Sequence, residues 1–169
     1  MASDQAPGEQ LKVWRLCRAV HAATAFSGEG ARRFGGRWNS RGVPMVYTST
    51  SLALAAIELF VHLEPSLAPN DLVAIPVLLP EGEPARTIEL SDLPQDWHGD
   101  QAGPRHIGDA WIRSGASLAL RVPSVPIPPE WNVLINPLHP RSSEIRIDPP
   151  QPFVFDARMF ATSGKSEPA

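Results

Sequence analysis

Apolar residues are most concentrated between positions 52 and 63, where they fall on every side of a helical wheel. A helix that is apolar all round is normally buried. Thr50 or Ser51 can accept hydrogen bonds from the free N–H groups at its start. Pro65 cannot continue a helix, so the pattern predicts an end near residues 62–64.

Two shorter runs come before this helix, at residues 34–39 and 43–49. Between them lies Ser40-Arg41-Gly42, in which Gly42 is free to adopt a positive φ. The pattern therefore predicts a β-hairpin that leads directly into the buried helix.

The remaining pattern predicts short elements joined by turns. Residues 12–15 form a short strand, residues 21–36 a loop, and residues 104–113 a helix that Gly115 follows. Residues 71–79 are apolar and β-branched, but the internal Pro76 indicates an edge or bulged strand. Further strands are predicted at residues 87–90, 117–122, 131–135, 144–147 and 152–155.

This order of elements predicts one α+β domain over residues 11–160, built on a bent, mostly antiparallel sheet with a few helices. Residues 1–10 are predicted to be a disordered lead and residues 161–169 a polar tail. A chain of 169 residues with 43% hydrophobic and 20% charged residues is long and apolar enough to bury a core.

Composition excludes several classes of protein. The net charge of −3 and the pI near 5.9 argue against a direct nucleic-acid binder. The single cysteine, Cys17, excludes an intrachain disulfide and a cysteine-based zinc site. No segment reaches the length of a membrane helix, and the first residues lack the regions of a signal peptide. We therefore expect a cytoplasmic protein that makes no contact with a membrane.

Glu58 is the only formal charge in the apolar helix, so folding would carry its carboxylate toward the interior. Such a group is costly there unless it is paired, hydrogen-bonded or protonated. The guanidinium of Arg37 and the phenol of Tyr47, just upstream, are the expected partners. A purely structural Arg37–Glu58 pair is the alternative interpretation.

Other candidate motifs carry less information. Arg32, Arg33 and Arg41 read as a solvated loop, although a cluster of arginines also suits a phosphate site. Ser124 lacks the flanking glycines of a nucleophile elbow, so a hydrolase triad is not predicted. His139 reads as a loop residue, and no histidine or carboxylate has the spacing of a metal site.

Taken together, several motifs resemble the RES-domain family, which is named for its Arg, Glu and Ser. The resemblance covers nearly the whole chain from Val13 to Arg158. It departs from the family after the His-Pro, where Arg141-Ser142 replaces an acidic and an aromatic residue. The matching motifs are Gly36-Arg37-Trp38-Asn39, Tyr47, Glu58, Val122-Pro123-Ser124, Asn132, Asn136-Pro137 and His139-Pro140.

The resemblance implies an enzyme toxin of a bacterial toxin–antitoxin pair with a fold similar to ADP-ribosyltransferases. Such an enzyme depletes NAD by cleaving the nicotinamide–ribose bond, with NAD as its substrate and no cofactor or metal. The implied partner is an Xre-type antitoxin; the oligomeric state stays open and includes a homo-oligomer. Two alternatives remain: an ADP-ribosyltransferase that modifies a cellular protein, and a non-catalytic binding module.

The same resemblance assigns roles to individual residues. Glu58, Arg37 and Ser124 are the implied catalytic residues, with Glu58 stabilising the positive charge that develops on the ribose. The substrate-binding residues that it implies are Arg15, Arg37, Tyr47, Asn39 and Ser124. The roles of His139 and Arg141 are left open.

Overall fold

Strand β1, at Lys12–Arg18, lies near the middle of an eight-stranded sheet in the part of the chain that the structure describes. The structure is a computed structural model and describes residues 10–64, 68–83 and 85–160. The predicted lead and tail therefore lie outside the described residues, apart from Gln10. The other strands are β2 (Val46–Ser49), β3 (Leu72–Leu78), β4 (Arg86–Thr87), β5 (Ala119–Pro123), β6 (Trp131–Ile135), β7 (Arg146–Ile147) and β8 (Gln151–Phe153).

The strands follow the order β4-β5-β6-β2-β1-β3-β7, and β8 pairs with β3 beside β7. Only the β4–β5 pair is parallel among these strands. The prediction of an α+β fold on a mostly antiparallel sheet is therefore confirmed. Strand β6 has the predicted bounds, whereas β1 continues three residues past its predicted end.

Three α-helices accompany the sheet in the described residues: α1 at Glu29–Phe34, α2 at Leu52–Phe60 and α3 at Ala102–Ser114. The predicted cap of α2 is confirmed, because the Ser51 hydroxyl accepts a hydrogen bond from the Leu54 N–H. Gly115 ends α3 as predicted, with a φ of +58° that favours glycine. No helix of the described residues combines the length and the apolarity needed to cross a bilayer.

Helix α1 corrects the prediction of a continuous loop at residues 21–36. The Glu29 carboxylate accepts hydrogen bonds from Arg32 and Arg33, three and four residues further along the chain. Pairs at these spacings face each other on a helix and stabilise it. Gly28, at a φ of +73°, turns the chain into the helix, and a 3-10 helix at Ala19–Thr24 precedes it.

The hairpin predicted from residues 34–39 and 43–49 is wrong. Strand β2 pairs with β1 and β6, Phe34 ends helix α1, and residues 35–39 form an irregular segment. The Asn39 side-chain amide, fully buried, donates to the backbone carbonyls of Ala31, Ser40 and Val43. These side-chain bonds take the place of a strand ladder.

The prediction that β3 is an edge or bulged strand is also wrong, because β3 lies between β1 and the pair β7 and β8. Pro76 pairs with Trp14 of β1, and its carbonyl accepts from Asp148 N on the opposite side. Pro76 lacks the N–H that would also point to that side. There the pairing of β3 with β8 ends at Ala74, and its pairing with β7 begins at Val77. The proline therefore interrupts no bond between β1 and β3.

Each face of the sheet carries its own apolar core, as the alternation along β6 shows. Val133 and Ile135 join a cluster with Val13, whereas Leu134 joins one that contains Trp38. Helix α2 packs near β1 and β2, and its Ala56 joins a third cluster with Leu72 and Phe155. The predicted burial of α2 holds for one side only: Leu54, Ala55 and Ala56 are buried, whereas Ala53 is exposed.

Candidate active site

Glu58 lies half-buried on α2, and two side chains from the sheet hold its carboxylate. The Ser124 hydroxyl donates to Glu58 Oε1 at 2.7 Å, and the Asn132 side-chain amide donates to the same oxygen. Glu58 therefore satisfies one oxygen with neutral donors, and in the described residues it forms no ion pair. These two hydrogen bonds take the place of the expected pair with Arg37.

Ser124 directly follows β5 and is fully buried. Its backbone N–H donates to the Glu130 carbonyl, and its hydroxyl oxygen accepts from Ile127 N at 3.2 Å. A hydroxyl has one proton to donate, and here that proton goes to Glu58. Ser124 therefore acts on the site through Glu58, and because its side chain is fully buried a substrate does not reach its hydroxyl.

Arg37 does not meet Glu58, so the predicted pair is wrong. Its Nη1 donates to the Trp97 carbonyl at 2.9 Å, and its guanidinium lies 5.8 Å from the Trp97 ring centroid. The guanidinium is half-buried and keeps further N–H groups for a ligand.

Tyr47 does not meet Glu58 either. Its hydroxyl donates to Asn39 Oδ1 at 2.7 Å and accepts from Trp38 N at 3.1 Å. Burial raises the pKa of Tyr47 above its ordinary value, although the bond from Trp38 and the charges of Arg105 and Arg37 act the other way. The phenol thus stays protonated at neutral pH and anchors the segment that carries Arg37.

Gly36 allows this anchor to form. A Cβ atom at Gly36 would lie 2.5 Å from the Tyr47 hydroxyl oxygen and 2.9 Å from Asn39 Oδ1. We expect Gly36→Ala to lower the free energy of unfolding by about 1–3 kcal/mol, because the bonded pair must separate. Chemical denaturation measures this change.

Gly30→Ala is the matched control for this prediction. A Cβ at Gly30 meets nothing within 4 Å, and the residue is exposed in α1. The control should leave stability unchanged or raise it by up to about 1 kcal/mol, because alanine favours a helix. Equal stability of Gly36→Ala and the native protein would show that the segment relaxes freely.

Arg105 on α3 is a site residue that the sequence pattern did not single out. Its Nε donates to the Gly36 carbonyl at 2.8 Å, and its Nη2 donates to Gln101 Oε1 at 2.6 Å. It therefore fixes the residue next to Arg37 and adds a second guanidinium near Tyr47. The helical spacing from Gln101 to Arg105 is an ordinary surface pattern, so only the fold reveals this role.

Helix α3 also contacts the segment that carries Arg37, residues 35–41. A Cβ at Gly108 would lie 1.8 Å from the Trp38 carbonyl oxygen, so the helix touches the backbone there. The next residue of α3, Asp109, adds a hydrogen bond, because its Oδ1 accepts from Ser40 N at 2.9 Å. Side chains of Tyr47, Arg105 and Asp109 and the backbone of α3 therefore all contact this segment.

Arg15 on β1 points its Nη1 to the Tyr47 carbonyl at 2.9 Å. Its Nε is buried and finds no acceptor among the described residues. Burial lowers the pKa of Arg15, but a guanidinium remains charged in proteins. This unsatisfied donor makes Arg15 a candidate for an anionic ligand.

Strand β2 sets the distance between the arginines and the carboxylate. Tyr47 and Ser49 are alternate residues of β2 and lie on one face, about 7 Å apart along the strand. Arg37 and Arg105 act on Tyr47, whereas Ser49 bonds Asn132, which bonds Glu58. The two arginines therefore lie near the Tyr47 end of β2, and the Glu58 carboxylate lies near its Ser49 end.

His139 and Arg141, whose roles the sequence left open, have structural partners. Arg141 Nη1 donates to Glu83 Oε2 at 2.8 Å, and its guanidinium also bonds Glu144. The Glu83 side chain is only 6% exposed and accepts a second bond from Leu118 N. His139 Nδ1 accepts from Arg141 N at 3.2 Å. Arg141 connects the turn after β6 to the loop that carries Glu83, and His139 bonds within that turn.

These features define an α+β protein with a carboxylate-centred site on a mostly antiparallel sheet. The same fold occurs in a chain of the crystal structure of the M. tuberculosis MbcT–MbcA toxin–antitoxin complex. The TM-score is 0.69, and the match covers 90% of this chain and 87% of that chain. The sequences are 16% identical, so this likeness concerns the fold alone.

The family model of the RES domain matches residues 12–156, and the chain therefore belongs to the RES domain family. It is 36% identical over 154 residues to the Prs ADP-ribosylating toxin of Sphingobium sp. (strain YBL2), covering 87% of this chain and 95% of the relative. It is 32% identical over 153 residues to a Toxin Res of Yersinia enterocolitica, covering 88% and 99%. The resemblance drawn from the motifs is confirmed, and the chain groups with the toxins of this family.

Proposed function

We propose that this chain is a toxin that depletes NAD by cleaving the bond between nicotinamide and ribose. The observation that carries the proposal is the Glu58 carboxylate, which Ser124 and Asn132 hold through one oxygen. In the described residues the second oxygen has no hydrogen-bond donor and is left for a ligand. Membership of a family whose relatives are named toxins supports the same conclusion.

The reaction needs a fixed negative charge beside the sugar. When the bond from C1′ to the nicotinamide nitrogen breaks, its electron pair leaves with neutral nicotinamide. Positive charge then develops on the ribose ring, and a carboxylate held in place stabilises that charge as it forms. Water or phosphate completes the reaction by bonding C1′ through oxygen, and water releases its proton to solvent.

The arginines suit the diphosphate of the same substrate. Planar guanidiniums bind phosphate oxygens through two parallel hydrogen bonds. Arg37 and Arg105 stand at the Tyr47 end of β2, and the unsatisfied Nε of Arg15 lies on the adjacent strand. Binding the diphosphate there would orient the ribose toward Glu58 and reduce the entropic part of the barrier.

Purified protein free of any partner tests this function directly. We expect NAD to be consumed and free nicotinamide to appear, with mass spectrometry identifying ADP-ribose as the second product in phosphate-free buffer. Phosphate in the buffer separates the two acceptors, because phosphorolysis adds a phosphate to the ADP-ribose. Intact NAD after prolonged incubation with folded protein would contradict the proposal.

Transfer of ADP-ribose to a protein is the second candidate. The relative from Sphingobium, matched over 95% of its length, carries the name Prs ADP-ribosylating toxin. The same carboxylate would serve this reaction, with a side chain of the target protein as acceptor. NAD labelled in the adenosine part distinguishes the candidates: label on a cellular protein favours transfer, and label only in small molecules favours cleavage. A chain that binds NAD but releases no nicotinamide would instead be a binding module.

We also propose an antitoxin partner of the Xre type that blocks access to Glu58. The fold neighbour comes from a toxin–antitoxin complex, which supports a partner of that kind. Co-expression with the protein encoded next to this chain should suppress NAD loss, and a separately purified mixture should do the same.

A further inference from the structure

A line of hydrogen bonds runs from the sheet to the Glu58 carboxylate through Asn132. Asn132 on β6 pairs with Ser49 on β2 in the strand register. Ser49, 3% exposed, donates its hydroxyl proton to Asn132 Oδ1 at 2.6 Å, and Asn132 Nδ2 donates to Glu58 Oε1. The order of donors follows from chemistry, because an ionised carboxylate only accepts hydrogen bonds. The NH₂ group of Asn132 must therefore face Glu58, and its side-chain carbonyl must face Ser49.

Asn132 and Ser124 approach Glu58 from two different strands. Ser124 follows β5 and Asn132 belongs to β6, and both donate to Oε1. A glutamate side chain has several rotatable bonds, and two donors from fixed positions on the sheet limit it to one conformation.

We propose that Asn132 is a positioning residue that directs the free oxygen of Glu58 toward the ribose, with Ser49 fixing the orientation of the Asn132 amide. The inference rests on the proposed function for the identity of the substrate. Ser124 alone cannot do this, because one hydrogen bond leaves the carboxylate free to turn about it. The second donor removes that freedom.

Charged groups on the neighbouring elements do not replace this arrangement. Helix α2 packs on β1 and β2, which carry Lys12, Arg15, Arg18 and Tyr47. None of them bonds Glu58: Arg18 pairs with Asp71, Arg15 and Tyr47 bond elsewhere, and the Lys12 amine lies over the Trp14 ring. All these groups are unchanged in the variants below.

Asn132→Ala tests the inference by removing one donor. We expect kcat to fall by about tenfold to a hundredfold with KM nearly unchanged, since the lost contact acts on the reacting carboxylate. Asn132→Asp, similar in size, should lower kcat at least as far, because an aspartate carboxylate only accepts hydrogen bonds and cannot donate one to Glu58.

Variants of Ser49 test the orientation of the amide. Ser49→Ala frees the amide to turn over and should produce a smaller loss of kcat in the same direction. Ser49→Thr keeps the hydroxyl and should restore most of the activity. Asn70→Ala, at an exposed asparagine, is the control for asparagine loss and should leave both parameters unchanged.

The mobility of the Glu58 side chain gives a readout that does not depend on turnover. Carbon-13 NMR relaxation of labelled glutamate in the native protein and the variants reports how freely that side chain moves. Greater mobility in Asn132→Ala and Asn132→Asp supports the inference even if the native protein leaves NAD intact, in which case the proposed function fails alone. Unchanged mobility together with an unchanged kcat would overturn the inference. If Asn132→Ala does not fold, Asn132→Asp and Ser49→Ala carry the same test.

Discussion

Glu58→Gln is expected to lower kcat for NAD cleavage by about a thousandfold and to leave KM nearly unchanged. Glutamine keeps an oxygen that can accept from Ser124 and Asn132, so the local bonds and the fold survive. What is lost is the negative charge, and the amide NH₂ now stands where the free oxygen stood. A thousandfold loss corresponds to about 4 kcal/mol of transition-state stabilisation. Release of nicotinamide under saturating NAD measures it.

Glu130→Gln is the matched control for this change. Glu130 is exposed, and its contact with Ser124 uses the backbone carbonyl, which the substitution keeps. The control removes the same formal charge close to the site and should retain native turnover. Thermal unfolding of both variants should match the native protein within a few degrees. Turnover above a tenth of the native rate in Glu58→Gln would remove the carboxylate from the mechanism.

The sequence revealed that Glu58 needs partners, but it pointed to the wrong ones. One acid in an apolar helix is a local pattern that a single chain displays. Its partners Ser124 and Asn132 lie 66 and 74 residues away and approach only through the order of strands in the sheet. Arg37 and Tyr47 are near in sequence and carry suitable groups, but both bond elsewhere. Proximity along the chain is a poor guide to pairing across a sheet.

The segment before β2 shows a second limit of sequence patterns. Residues 34–39 lead into a turn and are therefore predicted to form one strand of a hairpin, but the buried Asn39 amide satisfies three backbone carbonyls by itself. A side chain that replaces a strand ladder leaves no periodic signal. The interior position of β3 likewise leaves no signal in the sequence, because the gap between β7 and β8 that accommodates Pro76 is a property of the assembled sheet.

Elements with local determinants were predicted well. The Ser51 cap, the end of α3 at Gly115 and strand β6 each depend on a few adjacent residues. The RES-domain motifs likewise combine several spaced residues, and together they identified the family before the fold was known. Arg105 belongs to none of these motifs, so its contact with Gly36 appears only once α3 lies against the Arg37 segment.

Arg37→Ala and Arg105→Ala are expected to weaken binding of the NAD diphosphate. We expect Arg37→Ala to lower kcat/KM for NAD by about a hundredfold, mostly through KM, because its free N–H groups are the bidentate donors. Arg105→Ala should cost about tenfold, because its Nε and Nη2 already bond Gly36 and Gln101. If both arginines bind the same diphosphate, the double variant should lose less than the product of the two losses.

Nicotinamide mononucleotide shows whether these losses arise at the diphosphate, because it carries one phosphate and no adenosine. Native protein should prefer NAD, and Arg37→Ala should reduce that preference because the loss falls mainly on NAD. Arg41→Ala in the same segment and Arg113→Ala on α3 are the matched controls, since both side chains are exposed. Arg37→Lys should recover only part of the loss, because an ammonium group lacks the planar pair of donors. Equal losses for NAD and the mononucleotide would place Arg37 at the nicotinamide half of the substrate instead.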